Sequence, residues 1–300
     1  MSSYIEHDGT PPLCPAPDPK PTKPRHAIPA GAVDCHCHTF EDQTKYPLYP
    51  GRSYTPPLCT LQNYLDMCAA IGIERTVQVN ASVYGTDNSV TLDLIRTLGH
   101  RKARGVAGLS LDAKPDHLER LHEGGMRGVR LSTHVKGYGG MELIKAMAAV
   151  VKPFGWHLQV HVANSSEIAE HEKELMAAPV PLVFDHMVST RGSEGVGAPG
   201  FQALLRLLKQ RDDCWVKISS WYRRSDNGPP DYSDMKALAQ ALVDARPDRC
   251  VFGTNWPHPV WHGDMPNDGD LISMFCDWIT DPEARRKVLS ANPARLYWGE

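Results

Sequence analysis

Histidine is the side chain whose ordinary pKa lies nearest neutrality, so where it falls is the first clue to proton or metal chemistry. Of fourteen histidines in this chain of 300 residues, His36 and His38 form an H-x-H pair at the end of a short apolar run. His161, the pair Asp185-His186 and the segment Asn255-Trp256-Pro257-His258 each close a further apolar run. Alternate strand residues share a face, so His36 and His38 project together, and Cys35 and Cys37 are expected to turn the other way as buried thiols. The H-x-H pair alone also reads as two hydrogen-bonded structural histidines. Histidines ending three separate runs, at 36, 161 and 186, are hard to attribute to chance.

Two chemistries suit such a cluster. Neutral imidazoles can hold one divalent metal, zinc for example, with a position left for water whose pKa then falls toward neutrality; His36, His38 and His161 are the candidate ligands. Alternatively the imidazoles polarise a carbonyl and move protons themselves. A carboxylate at the end of the last run would serve either scheme as a base, but residue 255 is an amide. Asn is a poorer metal ligand than Asp, so a metal is expected to be weakly held or not required.

Arginine points to the substrate. Arg130 closes the fourth run, Lys136 lies just beyond it, and Arg223 and Arg224 follow the seventh. Planar guanidinium forks suit carboxylates, so a small anionic ligand is expected.

These residues need elements to hold them. Short β-branched runs occur at Ala32–His36, Arg75–Asn80, Gly105–Leu109, Gly128–Leu131, His157–Val162, Leu182–Asp185, Cys214–Ile218 and Cys250–Gly253. Amphipathic stretches at Leu61–Ile71, Asp116–His122, Glu142–Val151, Glu167–Ala177, Phe201–Lys209 and Met235–Ala245 predict helices between them, several stopped by Gly, as at 72, 124 and 155. Strand and helix alternating eight times without a dinucleotide-binding glycine fingerprint predict one α/β domain, a (β/α)₈ TIM barrel over residues 31–300. Residues 1–30, dense in proline, predict an extended arm. In such a barrel the residues at the C-terminal strand ends carry the chemistry.

Composition narrows the partners. A net charge of −3 offers no global attraction to nucleic acid or membrane, and no apolar run approaches the ~18 residues that cross a bilayer. The eight cysteines contain no C-x-x-C pair and are scattered through a chain too large to need disulfides. A cytoplasmic protein is expected, and no pattern speaks to its oligomeric state.

The runs Gly31-Ala32-Val33-Asp34-Cys35-His36-Cys37-His38, Asp185-His186-Met187 and Gly253-Thr254-Asn255-Trp256-Pro257-His258-Pro259 together resemble the amidohydrolase superfamily. Within it the chain is similar to the branch of 2-pyrone-4,6-dicarboxylate lactonases, through Gly85-Thr86-Asp87-Asn88, His122 to Arg130 and the ending Asn292-Pro293-Ala294-Arg295-Leu296-Tyr297-Trp298. The resemblance implies a TIM barrel that opens a lactone. It carries His36, His38 and His186 over as site histidines, Arg130 and Arg223 as carboxylate binders, and Tyr54 and Ser82 as further substrate contacts. Three positions depart from that pattern: His161 replaces a Tyr, Lys136 an Arg, and Asn255 the catalytic Asp. Around the eighth strand the chain also resembles galactarolactone isomerases, which share the Thr-Asn-Trp-Pro-His run.

Lactone hydrolysis is therefore the leading expectation, in a place within aromatic compound catabolism, with Arg130 and Arg223 on carboxylates and His186 or His161 as residual base. His258 and Lys136 are added as candidate substrate contacts. Lactone isomerisation, metal-dependent decarboxylation and capture of a metabolite without turnover are the alternatives, the last favoured only by Asn255.

Overall fold

The computed structural model describes Gly9 and residues 11–300. Eight parallel strands succeed one another in sequence order: β1 (Val33–Cys37), β2 (Arg75–Val79), β3 (Ala103–Ala107), β4 (Met126–Ser132), β5 (His157–His161), β6 (Leu182–Phe184), β7 (Cys214–Ile218) and β8 (Cys250–Phe252). Between and after them run α1 (Leu61–Ile71), α2 (Ser89–Leu98), α3 (Pro115–Glu123), α4 (Ile144–Val151), α5 (Ser166–Glu170), α6 (Glu172–Ala177), α7 (Pro199–Gln210), α8 (Ser233–Ala245), α9 (Asp268–Trp278), α10 (Pro282–Arg286) and α11 (Asn292–Trp298). This is the (β/α)₈ barrel that the alternation predicts.

Helix α1 has the bounds that its apolar spacing predicts because its ends are written in the sequence. Thr60 and Asn63 form a reciprocal capping box, and Gly72 closes the helix in the left-handed conformation. Helix α2 is not among the predicted helices. Its Val90, Thr91 and Ile95 are β-branched, yet with Leu94 they form the buried stripe of a helix. The stretch Glu167–Ala177 is two short helices that meet at His171, and β3 begins two residues before its predicted start.

Apolar side chains form two layers. Leu, Ile, Phe and Met residues fill the space between strands and helices. Inside the barrel Val33, Cys35, Val77, Val79, Val106, Val183, Trp215 and Val251 pack with Tyr297, which α11 supplies at the N-terminal end. Space inside is tight enough to dictate glycine. A Cβ on Gly128 would lie 2.3 Å from the His157 ring, and one on Gly253 would lie 2.7 Å from His36 Cβ.

The first and last strands meet through the segment immediately after β8. Asn255 N donates to the His36 carbonyl at 2.7 Å, and His38 N donates to the Trp256 carbonyl at 2.8 Å. Buried Asp34 holds the same seam by accepting from Thr254 N at 2.9 Å and Thr254 Oγ1 at 2.6 Å. The Pro-rich stretch is anchored along the barrel: Thr22 and Arg25 bond to side chains of the α9 region, and Leu13 bridges to Thr55. No helix among the described residues is long and apolar enough to cross a membrane.

Candidate active site

A bulge in β1 decides which of its side chains reach the barrel mouth. Val33 and Cys35 lie in the interior layer, so strict alternation would send His36 outward. The register with β2 slips between Asp34 and Cys37, and the extra residue resets the phase. His36 joins Cys35 on the inside, while Cys37 turns outward to Thr76, 3.0 Å away. The expectation that both cysteines face away from both histidines is thereby corrected. All eight cysteines are buried free thiols.

At the centre lies Asp185, which is completely buried. Arg130 Nε and Nη2 both approach its Oδ2 at 3.0 Å, Gln159 Nε2 donates to the same oxygen at 3.0 Å, and Lys217 Nζ lies 3.2 Å from Oδ1. Lys217 Nζ also donates to Gln159 Oε1 at 2.6 Å and stands 3.2 Å from His36 Nδ1. Burial raises the Asp185 pKa, but Lys217, His36 and Arg130 together hold it well below the carboxylate range. One carboxylate thus faces two cationic side chains, leaving a positive charge over; burial pulls the Lys217 pKa down and Asp185 opposes that. The anion that a buried Arg130 requires is supplied by the protein itself.

Above this layer sit the imidazoles. The His186 ring is 4.5 Å from that of His36 and 5.2 Å from that of His161, and His36 lies 5.0 Å from His38. Burial drives His36, His161 and His186 well below the imidazole range; it takes His38 to about 3 with help from Arg130, and His134 to about 3 with help from Arg223 and Arg224. All five rings are neutral at pH 7.

Their hydrogen bonds assign two tautomers. The Val79 carbonyl can only accept, so His38 Nδ1, 2.8 Å away, carries the proton and Nε2 is a lone pair. Ser132 Oγ accepts from His134 N at 3.1 Å and Val135 N at 3.2 Å, which uses both its lone pairs. Its hydroxyl therefore donates to His161 Nδ1 at 3.1 Å, and His161 presents Nε2–H. One ring offers the cavity an acceptor and the other a donor.

A cleft of about 520 Å³, measured with its solvent-open mouth, is lined by His38, Tyr54, Ser82, Arg130, His134, His161, His186, Ser220, Arg223, Arg224 and Asn255 among others. Its rim cations bond to neutral acceptors: Arg223 to the Pro259 carbonyl, and Arg224 to the Ala163 carbonyl at 2.7 Å. His36 lies behind the lining, its Nε2 without a hydrogen-bond partner among the described residues. Two expected contacts do not line the cleft. Lys136 is exposed on the turn after β4, and buried His258 stands behind Asn255 against Tyr222 and Asp268. Lys217, Gln159 and His134 are site residues that the sequence patterns do not single out. A lysine two residues after Trp215 in an otherwise apolar strand is the one signal that points to the first.

The grouping suited to a metal also differs from expectation. His36, Asp185 and His186 bring one donor atom each within 4.8 Å of one another, whereas His38 and His161 stand outside the group. The cluster has donors enough to hold a metal. Its charge is against one, because both Asp185 oxygens already face Lys217 or Arg130, and a divalent ion would be a third cation on a single carboxylate.

The last three strand ends carry unusual backbone. His186, Met187, Val188 and Ser189 after β6, Ser220 after β7, and Asn255, His258 and Val260 after β8 all have positive φ. Each such non-glycine residue costs roughly 1–2 kcal/mol, and strain of this kind gathers where side chains must be aimed.

Residues 33–298 match the amidohydrolase family, and the chain belongs to it. It is 32% identical over 289 residues to a 2-pyrone-4,6-dicarboxylate hydrolase of Comamonas testosteroni, covering 93% of this chain and 94% of that protein. It is 36% identical over 280 residues to a 4-sulfomuconolactone hydrolase of Hydrogenophaga intermedia, covering 91% and 90% respectively. A solved Agrobacterium tumefaciens structure superimposes with a TM-score of 0.81 at 27% identity, covering 92% of this chain and 98% of that one.

Proposed function

We propose that this protein hydrolyses a small lactone bearing carboxylate or sulfonate groups, as a cytoplasmic enzyme of aromatic compound catabolism. The observation that carries this reading is the cleft's surplus of positive charge: Arg130 and Lys217 share one carboxylate, and Arg223 and Arg224 bond to neutral carbonyls. A ligand with two anionic groups supplies what the cleft lacks. The names of the relatives, a dicarboxylate hydrolase and a sulfomuconolactone hydrolase, agree with that demand.

In this reading Arg130 and Arg223 hold the anionic groups, with Arg224, Tyr54 and Ser82 completing the wall. His161 Nε2–H points a hydrogen bond at the lactone carbonyl and stabilises the oxyanion. His38 Nε2 and Asn255 accept from the attacking water, with His186 beside them. Water oxygen adds to the carbonyl carbon, the ring C–O bond breaks, and the leaving oxygen takes up a proton. The tautomers move the residual base from His161, which presents a donor, to His38 or His186. The bound anion raises an imidazole pKa that burial has lowered. No metal is required, and a weakly held zinc at His36, Asp185 and His186 would compete with Lys217.

The test is turnover of a panel of anionic lactones followed by NMR, on this chain and on Asn255→Asp. The carboxylate restores a general base, and hydrolytic kcat is expected to rise ~10²–10⁴-fold. Faster hydrolysis by the unaltered chain would overturn the role given to position 255. Lactone isomerisation is a second reading favoured by Asn255 itself, since an amide can orient a substrate hydroxyl as readily as water; a rearranged lactone among the products would establish it.

A further inference from the structure

Behind Asn255, on the side away from the cleft, runs a line of buried side chains that the chemistry above does not use. Asn255 Nδ2 donates to the Tyr222 hydroxyl at 3.0 Å, Tyr222 Oη lies 2.9 Å from His258 Nδ1, and His258 Nε2 lies 3.3 Å from the Asp268 carboxylate. All four residues are buried. They come from the turn after β7, the segment after β8 and the first turn of α9, so the line is assembled only by the tertiary fold.

The protons on this line have few places to go. A carboxylate only accepts, so His258 Nε2 carries a proton toward Asp268. Between His258 Nδ1 and the Tyr222 oxygen there is then one proton or two. With one, held on Nδ1 because His258 is drawn above Tyr222, that oxygen turns only lone pairs toward Asn255; the amide donates through Nδ2, as observed, and leaves Oδ1 for the cleft. With two, the phenol has a hydrogen of its own to give Asn255 Oδ1, and the amide turns over to present Nδ2 to the cleft.

We propose that Tyr222, tied to His258 and Asp268, is a positioning residue that selects which end of the Asn255 amide faces the substrate. An acceptor at that place aligns the proton of the attacking oxygen, and a donor misdirects it. What the amide then does rests on the hydrolytic reading of the cleft; how it is held does not.

Electrostatics favours a proton count that changes near working pH. Burial opposes charge on both partners, but Tyr222 and Asp268 draw His258 up to about 9, and His258 and Arg223 draw Tyr222 down to about 8. Among the described residues Arg223, Asp268 and Tyr232 are the titratable groups that face the pair, with the Trp261 ring and Ser220 beside it. The pair gives up its second proton as pH rises, so kcat climbs with pH through about 8.

Tyr222→Phe keeps the ring and removes both the acceptor and its proton. Kcat is expected to fall about 10- to 100-fold with KM little changed, the loss typical of a misaligned reactant. The rise of kcat with pH through about 8 should flatten with it. A second measurement needs no substrate: tyrosinate absorbance of the unaltered protein should show one of its ten tyrosines ionising below the ordinary ~10, and Tyr222→Phe should lack it. A folded Tyr222→Phe with unchanged kcat and pH profile overturns the proposal. So does an unaltered protein in which every tyrosine ionises at or above its ordinary value, whether or not any lactone is turned over. A low-ionising Tyr222 in a protein that opens no lactone supports the holding arrangement and removes the hydrolytic reading instead.

Discussion

At the N-terminal end of the barrel interior, Tyr297 reaches up among Val33, Cys35, Val77 and Val183. One inward position further along the same strands, Val183 gives way to Asp185 and Trp215 to Lys217, and the interior becomes a lattice of charge. Both zones are dry. At the floor the cations Arg75 and Arg104 lie over the Trp298 ring. At the mouth Arg130 and Lys217 point inward and depend on one carboxylate. Two residues of strand thus separate packing that holds the barrel from the charged groups of the candidate site, which is the division of labour this fold allows between its faces.

Acid should separate the zones most strongly. Burial is the leading cause that holds His36, His38, His134, His161 and His186 neutral at the mouth, and His157 at the floor. Below about 6.5 the unfolded chain protonates these rings and the folded one does not, so stability present above that pH is lost as pH falls, by roughly 1.4 kcal/mol per unit for each ring. Urea unfolding should show a loss of about 5 kcal/mol or more between pH 7 and pH 5. His258, raised to about 9, works in the opposite sense, and its contribution fades as pH rises through that value. A stability flat from pH 7 to 5 would mean that the mouth already holds protons, and the contrast would fall.

Arg130→Met probes the mouth alone. It removes one of the two cations on Asp185 and a guanidinium from the cleft wall, and kcat/KM for an anionic lactone should drop by on the order of 2–5 kcal/mol. Steady-state kinetics that match the unaltered protein would make the charge lattice purely structural. The smallest effect belongs to the floor. Tyr297 Oη has no hydrogen-bond partner among the described residues, so Tyr297→Phe should shift stability by less than about 1 kcal/mol and leave kcat unchanged, as read by urea unfolding and turnover. A fall in kcat would couple the zones.

Much of the molecule is legible in the sequence because local rules and tertiary packing agree. The capping box before α1 and the histidines and arginines closing apolar runs are such cases: Arg130, His161, His186 and Asn255 all reach the cleft. The features that stay hidden depend on contacts across the barrel. No pattern in β1 announces the bulge that brings His36 inward beside Cys35. Lys217 reads as an interruption of an apolar strand until Asp185, from the neighbouring strand, is placed against it. His258 shares a motif with Asn255, yet only the position of α9 shows that it faces Asp268 rather than the cleft. Lys136 draws notice by its charge, whereas its turn leaves it exposed.

The seam between β1 and β8 has a consequence for how the protein comes into being. Its hydrogen bonds run from Asn255 to His36 and from His38 to Trp256, so the bonds that close the cylinder also bring together residues of the candidate site. The partners are more than two hundred residues apart in the chain, and contacts of such separation are slow to form. A nascent or truncated chain that has not placed its eighth strand therefore has no working cleft with which to touch a metabolite. Activity in this protein is a certificate of completed folding.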